Sequence, residues 1–310
     1  VPDQTRLPCP ELRELSVPPT VRPLRPGYRI ARWDTPADLA PECRELLHTT
    51  LRDLAARAFG ADHSGYWRAR MSAGFFDQVS SLALVLGPDG VPVGWGGYHR
   101  RRFASRRALY LDAAGVVPAH RRSGLSAALM THFLGREVMA HPLSNTYVVL
   151  RTRHPAVYAG WRKGVGRARV FPRQGRPVPS LVRRIAADAA DWLGDGPRLD
   201  PDSLLVRDAY RMFDGEIYGV APRSGDAALD ARFARDVGPK DAVLVVARMG
   251  ALPLARANLG RVLHARAPRG THRAPAGGGR PVRGSVPTNL TGRAAPTGAG
   301  ASGLIPGGRL

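Results

Sequence analysis

The residues best suited to chemistry lie between Leu109 and Leu129. An apolar run from Ala108 to Val117 leads into Pro118-Ala119-His120-Arg121-Arg122-Ser123-Gly124, and a helical repeat starts at once with Leu125, Leu129 and Phe133 four residues apart. A helix beginning directly after a strand presents unpaired N–H groups and a partial positive charge, which suit an anion. Gly124 has no Cβ, so the backbone there can approach a phosphate closely. Arg121 and Arg122 add charge-assisted donors beside those amides. A pyrophosphate is the occupant this chemistry fits. The plainer alternative is an ordinary β–α crossover with solvated arginines. No P-loop lysine motif and no G-x-G-x-x-G precedes a helix, which argues against nucleotide hydrolysis and dinucleotide binding.

The elements that must position this turn read as follows. Residues 1–26 hold seven prolines and are expected to be an irregular leader. Tyr28 to Trp33 alternates as a strand. Asp34 or Thr35 caps a helix with Pro36 in its first turn and Leu39, Cys43, Leu46, Leu47 and Leu51 at helical spacing. Ser64 to Phe76 reads as a second helix. Ser81 to Leu86 and Val91 to Tyr98 form a hairpin about Gly87-Pro88-Asp89-Gly90. After the turn come a helix from Ser126 to Met139, a strand from Thr146 to Thr152 and a helix from Pro155 to near Gly164. A hairpin followed by a β-α-β unit puts both kinds of pairing into one sheet. The fold class expected is α/β (α+β): a mixed, mostly antiparallel twisted sheet flanked by helices. Ser180 to Leu193 and Ala227 to Val237 suggest further helices, the latter capped near Ser224, and Asp241 to Met249 a late strand of the main sheet.

Val116-Val117-Pro118-Ala119-His120-Arg121-Arg122-Ser123-Gly124-Leu125-Ser126 resembles motif A of the GNAT N-acetyltransferases, which pairs V-x-P with R/Q-x-x-G-x-G/A. Val116, Pro118, Arg121 and Gly124 match, while Ser126 stands where Gly or Ala is usual. The element order is similar to that family's through about Val170. The resemblance implies a GNAT-like acyl-CoA-binding core over residues 27–172, with acetyl-CoA as co-substrate and an amine as acceptor. It also implies that the strand before the motif splays from the next one, that Ala114 to Val116 offer backbone hydrogen bonds to pantetheine in the gap, and that the amide near Val116 receives the oxyanion. The cofactor-binding residues are then Val116, Val117, Pro118, Arg121, Arg122, Ser123, Gly124, Leu125, Ser126 and His154, the last standing where the family commonly has Asn. The family's tyrosine position falls on Trp161, which has no hydroxyl, so Tyr158, one turn earlier, is the expected general acid. Asp112, four residues before Val116, is the expected base, with His99 and Tyr98 as weaker candidates. Tyr66, Trp67, Phe75 and Phe76 line the acceptor site or belong to the core.

The formal net charge is +21, and almost all of the cationic excess is arginine, Lys163 and Lys240 being the only lysines. Genome composition and a basic cofactor site account for it, since no aromatic-interleaved stripe suited to single-stranded nucleic acid is present. Residues 173–253 form a C-terminal extension completing or packing on the sheet, and 254–310 a disordered basic tail. The start lacks the apolar core of a signal peptide, no run of about 18 apolar residues exists, and Cys9 and Cys43 have no metal-ligand spacing. A cytoplasmic protein without metal is expected. A non-catalytic acyl-CoA-binding module and a nucleic-acid-binding protein acting through its tail are the alternatives; oligomeric state and acceptor identity are not written in the sequence.

Overall fold

The computed structural model describes residues 17–213 and 215–251. The expected tail at 254–310 and residues 1–16 of the expected leader lie outside them. The leader's later part is not irregular. It forms β1 (Thr20–Arg25), which pairs antiparallel with β2 (Tyr28–Trp33). Pro23 is compatible with this because β1 lies at the sheet's edge, where a missing N–H breaks no ladder.

After a 3-10 turn at Pro36–Asp38 come α1 (Pro41–Phe59), α2 (Ser64–Ser72) and the short α3 (Phe75–Gln78). The single helix expected over 64–76 is broken at Gly74, whose φ of 75° is left-handed. α1 starts later than the Asp34 or Thr35 cap implied, at Pro41, and turns Cys43, Leu47, Leu51 and Leu54 to the core. The sheet continues with β3 (Ser81–Leu86), β4 (Pro92–Phe103), β5 (Arg106–Leu111) and β6 (Gly115–Val116). α4 (Leu125–Met139), β7 (Thr146–Thr152), α5 (Pro155–Val165) and β8 (Val170–Phe171) follow.

The remaining elements are α6 (Ser180–Trp192), β9 (Leu199–Asp200), β10 (Leu205–Val206), α7 (Ala227–Asp236) and β11 (Ala242–Met249). α7 is capped by Asp226, two residues beyond the expected Ser224, its carboxylate accepting from the Ala228 and Leu229 amides. The strand order is β1-β2-β3-β4-β5-β7-β11-β10-β9, with β6 on β4 and β8 on β11. Among the described residues only β5 and β7 run parallel; the other pairings are antiparallel, as the mixed pattern required. The late strand pairs along all of β7, from Val243–Thr152 to Met249–Thr146.

Helices cover both faces. On one, Tyr98 of β4 packs against Phe133 of α4, and Tyr158 of α5 against Phe233 of α7. On the other, Trp95 packs against Phe59 and Trp67 of α1 and α2, and Tyr110 against Trp192 of α6. Alternation along β7 serves both: Val148 and Leu150 face the first layer, Tyr147 and Val149 the second. No described helix is long and apolar enough to cross a membrane.

Candidate active site

The turn between β6 and α4 gathers unengaged N–H groups. A 3-10 turn at Pro118–His120 consumes the amides of His120 and Arg121, which donate to Val117 and Pro118. Ser123 Oγ tightens it by donating to the His120 carbonyl at 2.6 Å. Arg122 and then Gly124 adopt positive φ, 62° and 79°, so the chain folds into a concavity of N–H groups. Among the described residues, the amides of Arg122, Ser123, Gly124, Leu125 and Ser126 meet no acceptor. Leu125 and Val117 bury their side chains and anchor the turn. Pro118, Arg122 and Ser126 are exposed.

One arginine behaves differently from the expectation, and another enters unannounced. Arg121 turns inward: Nε donates to the Val116 carbonyl at 3.1 Å and Nη2 to the carbonyl of Ala58 at the end of α1. It ties strand to helix while the residue as a whole stays exposed. Arg25, which no motif marked, also reaches the turn; a Cβ on Gly124 would fall 2.7 Å from Arg25 Nη1. The β1–β2 hairpin carrying Arg25 is fixed to the turn by Tyr28, whose hydroxyl lies 3.0 Å from His120 Nδ1.

Beside the cradle the sheet opens. β5 and β7 pair only from Ala108–Tyr147 to Tyr110–Val149. β6 instead returns to β4, with Val116 opposite Gly94. Because the Val117 amide donates to Val93, Val116 occupies the non-bonded position, and its N–H and C=O point away from β4. The pairing sum is 209 for Leu111 with Tyr98 and 210 for Val116 with Gly94, so one extra residue is bulged between them. That bulge overturns the expected alignment of Asp112 with Val116: the two side chains lie on opposite faces.

His154 stands on the far wall of the gap. It caps α5, Nδ1 accepting from the Ala156 amide at 3.2 Å, which leaves the ring hydrogen on Nε2. Burial, reinforced by the Arg121 charge, holds its pKa down to about 4. Tyr218 meets it edge-on at 5.6 Å and also touches Phe59 at 5.7 Å. The segment bearing Tyr218 is clamped to α1: the Gly219 amide donates to the Phe59 carbonyl at 2.9 Å, and a Cβ at Gly219 would strike the Gly60 carbonyl. The Tyr218 hydroxyl meets no acceptor among the described residues, and burial pushes its pKa up to about 12.

Neither expected catalytic side chain is available. Tyr158 is 1% exposed and donates to the Pro172 carbonyl at 2.5 Å, lining a cavity of about 380 Å³ shared with Phe233 and Val237. Its hydroxyl is directed under α7 and not into the gap. Asp112 is clasped by Arg70 and by His99 Nε2 at 2.8 Å, and its other oxygen accepts from the Ala113 amide. Burial alone would raise its pKa; the Arg70 charge and these hydrogen bonds more than offset that and keep it well below the usual carboxylate range. A carboxyl so held does not accept a proton near neutral pH. Of the other candidates, Tyr98 donates to Glu137 on the α4 face, whereas Trp67, Phe75 and Phe76 are core. Tyr66 is part-exposed and stacks on Phe213.

Residues 48–158 match the model of the acetyltransferase (GNAT) family. The stretch holding cradle and gap is therefore a GNAT domain. No curated protein matches the chain. Among solved structures, a GNAT family N-acetyltransferase from Escherichia coli in complex with CoA covers 36% of this chain and 61% of its own, at 15% identity and a TM-score of 0.30. The ribosomal-protein-S18-alanine N-acetyltransferase of the same organism covers 44% and 75%, at 14% identity and 0.32. An IAA acetyltransferase from Bacillus cereus covers 72% and 99%, at 10% identity and 0.38. These likenesses are distant, and the family assignment stands on the family match.

Proposed function

We propose that this chain moves an acetyl group from acetyl-CoA to an amine by direct attack on the thioester. The observation that carries the reading is the row of unengaged amides from Arg122 to Ser126, opening beside a sheet whose strands part. Such donors suit a diphosphate, and a helix N-terminus favours an anion by about 0.3–2 kcal/mol before any hydrogen bond is counted. Arg25 and Arg122 supply the neighbouring positive charge. The gap suits the extended pantetheine arm, with the Val116 N–H directed toward it as the oxyanion donor. Arg121 must release the Val116 carbonyl if pantetheine is to use that oxygen.

In the reaction the amine nitrogen bonds to the carbonyl carbon, the carbon–sulfur bond breaks, and the sulfur leaves with the electron pair. The nitrogen sheds its proton to water, since Asp112 is too acidic to take it. Tyr218 replaces Tyr158 as the proton donor to the thiolate. What supports it is its place against His154, its unengaged hydroxyl and its tether to α1. The core expected over 27–172 then also takes in β1 and Arg25, and an extension over 173–253 brings Tyr218 to it. Thiol release on mixing the chain with acetyl-CoA and an amine panel tests the reading. A module that binds acyl-CoA without turnover would show binding and no release.

A further inference from the structure

The sheet face carrying α1, α2 and α6 holds a second cluster at the gap, which the reaction above does not use. It begins with the last residues of the two parting strands. Asp112 follows β5 and pairs with Arg70 of α2, while Arg151 of β7 pairs with Asp195, which is fully buried. Asp195 also takes Arg211 at 2.8 Å, with Arg198 at 3.8 Å. His99 completes the cluster, with Nε2 2.8 Å from Asp112 and Nδ1 2.9 Å from the Gln78 carbonyl. Two carboxylates thus meet four guanidinium groups.

The excess is matched by missing acceptors. The Nε–H groups of Arg70 and Arg151 are buried without a hydrogen-bond partner, although the Arg151 side chain is only 11% exposed. Leaving a buried donor unmade costs on the order of 1–3 kcal/mol, and more when it is charged. The hydroxyls of Tyr66 and Tyr210, in the same cluster, likewise meet no acceptor among the described residues. Phe213 stacks on Tyr66 at 4.7 Å and touches Tyr210 at 5.9 Å, giving the site an aromatic wall. The groups in need of a partner are donors. What satisfies donors alone, and balances surplus positive charge, is a group that only accepts and is negative.

We infer that the acceptor amine carries a carboxylate, as a free amino acid does, and that Arg70 and Arg151 seat it. This rests on the acyltransferase reading. The carboxylate is seated by the charge of the two guanidinium groups and by the two tyrosine hydroxyls, the amino group is left toward the gap, and the aromatic wall takes the side chain.

The test is a panel of free amino acids, each paired with its carboxamide, assayed for thiol release from acetyl-CoA. The acid is expected to exceed its amide by about 30-fold or more in kcat/KM, as charge-assisted bonds warrant. Arg70→Gln and Arg151→Lys are expected to bring that ratio toward one, the lysine keeping the charge opposite Asp195 so that the fold survives. Equal use of acid and amide, or a ratio unmoved in both variants, overturns the inference while the acyltransferase reading stands. Should no amine release thiol, that reading fails, and calorimetry with N-acetylphenylalanine against N-acetylphenylalaninamide decides the site alone. Saturable binding of the acid only supports it; no discrimination overturns it.

Discussion

At the scale of single residues, Tyr218 and Tyr158 should separate under substitution. Tyr218→Phe removes the proposed acid and is expected to lower kcat by roughly 100-fold with little change in cofactor affinity. Tyr158→Phe removes a buried neutral hydrogen bond to Pro172 and is expected to cost about 1 kcal/mol of stability while turnover stays within about twofold. Thiol-release kinetics and denaturant melts read the two effects. His154 gives a pH prediction. Its pKa lies near 4 in the folded chain against an ordinary 6.5, so the unfolded chain takes up the proton first as pH falls. Its stabilisation is full above about pH 6.5 and is lost between 6.5 and 4. The melting temperature of His154→Asn should therefore fall less over that window than the parent's. His154 was singled out by the resemblance, standing where the family commonly has Asn. Tyr218 was not, because nothing in a sequence separation of 64 residues announces that it touches His154.

At the scale of elements, the cradle is a joint product of the β6–α4 turn and the β1–β2 hairpin. Arg25→Ala should weaken CoA affinity by about fivefold, or roughly 1 kcal/mol, with the loss shrinking at high salt. An isotherm at two ionic strengths measures it. The turn was readable because strand, basic loop, glycine and helix follow one another within some twenty residues. The hairpin was not: Thr-Val-Arg-Pro-Leu-Arg reads as a loop until an edge position makes the proline harmless. The bulge before β6 was hidden too. Ala113, Ala114 and Gly115 carry no side-chain pattern from which a one-residue slip can be read, yet that slip sends Asp112 to the face opposite Val116.

At the scale of the whole molecule, core and extension share one sheet. β11 lies between β7 and β10, and Leu244, Val245 and Val246 are fully buried. Stopping the chain before Ala242 would bare the edge of β7 and both its apolar faces. Such a truncation is expected to show no cooperative thermal transition; a sharp one would mean that the residues before Ala242 fold without β11. The run Ala-Val-Leu-Val-Val-Ala made the strand legible, since a lone apolar strand needs a sheet.

Calorimetric titration of the full chain with CoA is the most direct measure of whether the turn at residues 122–126 holds a diphosphate. Saturable one-to-one binding in the micromolar range is expected, abolished by Gly124→Glu, which sets a carboxylate among the amides at a left-handed position. No saturation at millimolar CoA, or undiminished binding by that variant, would contradict the account.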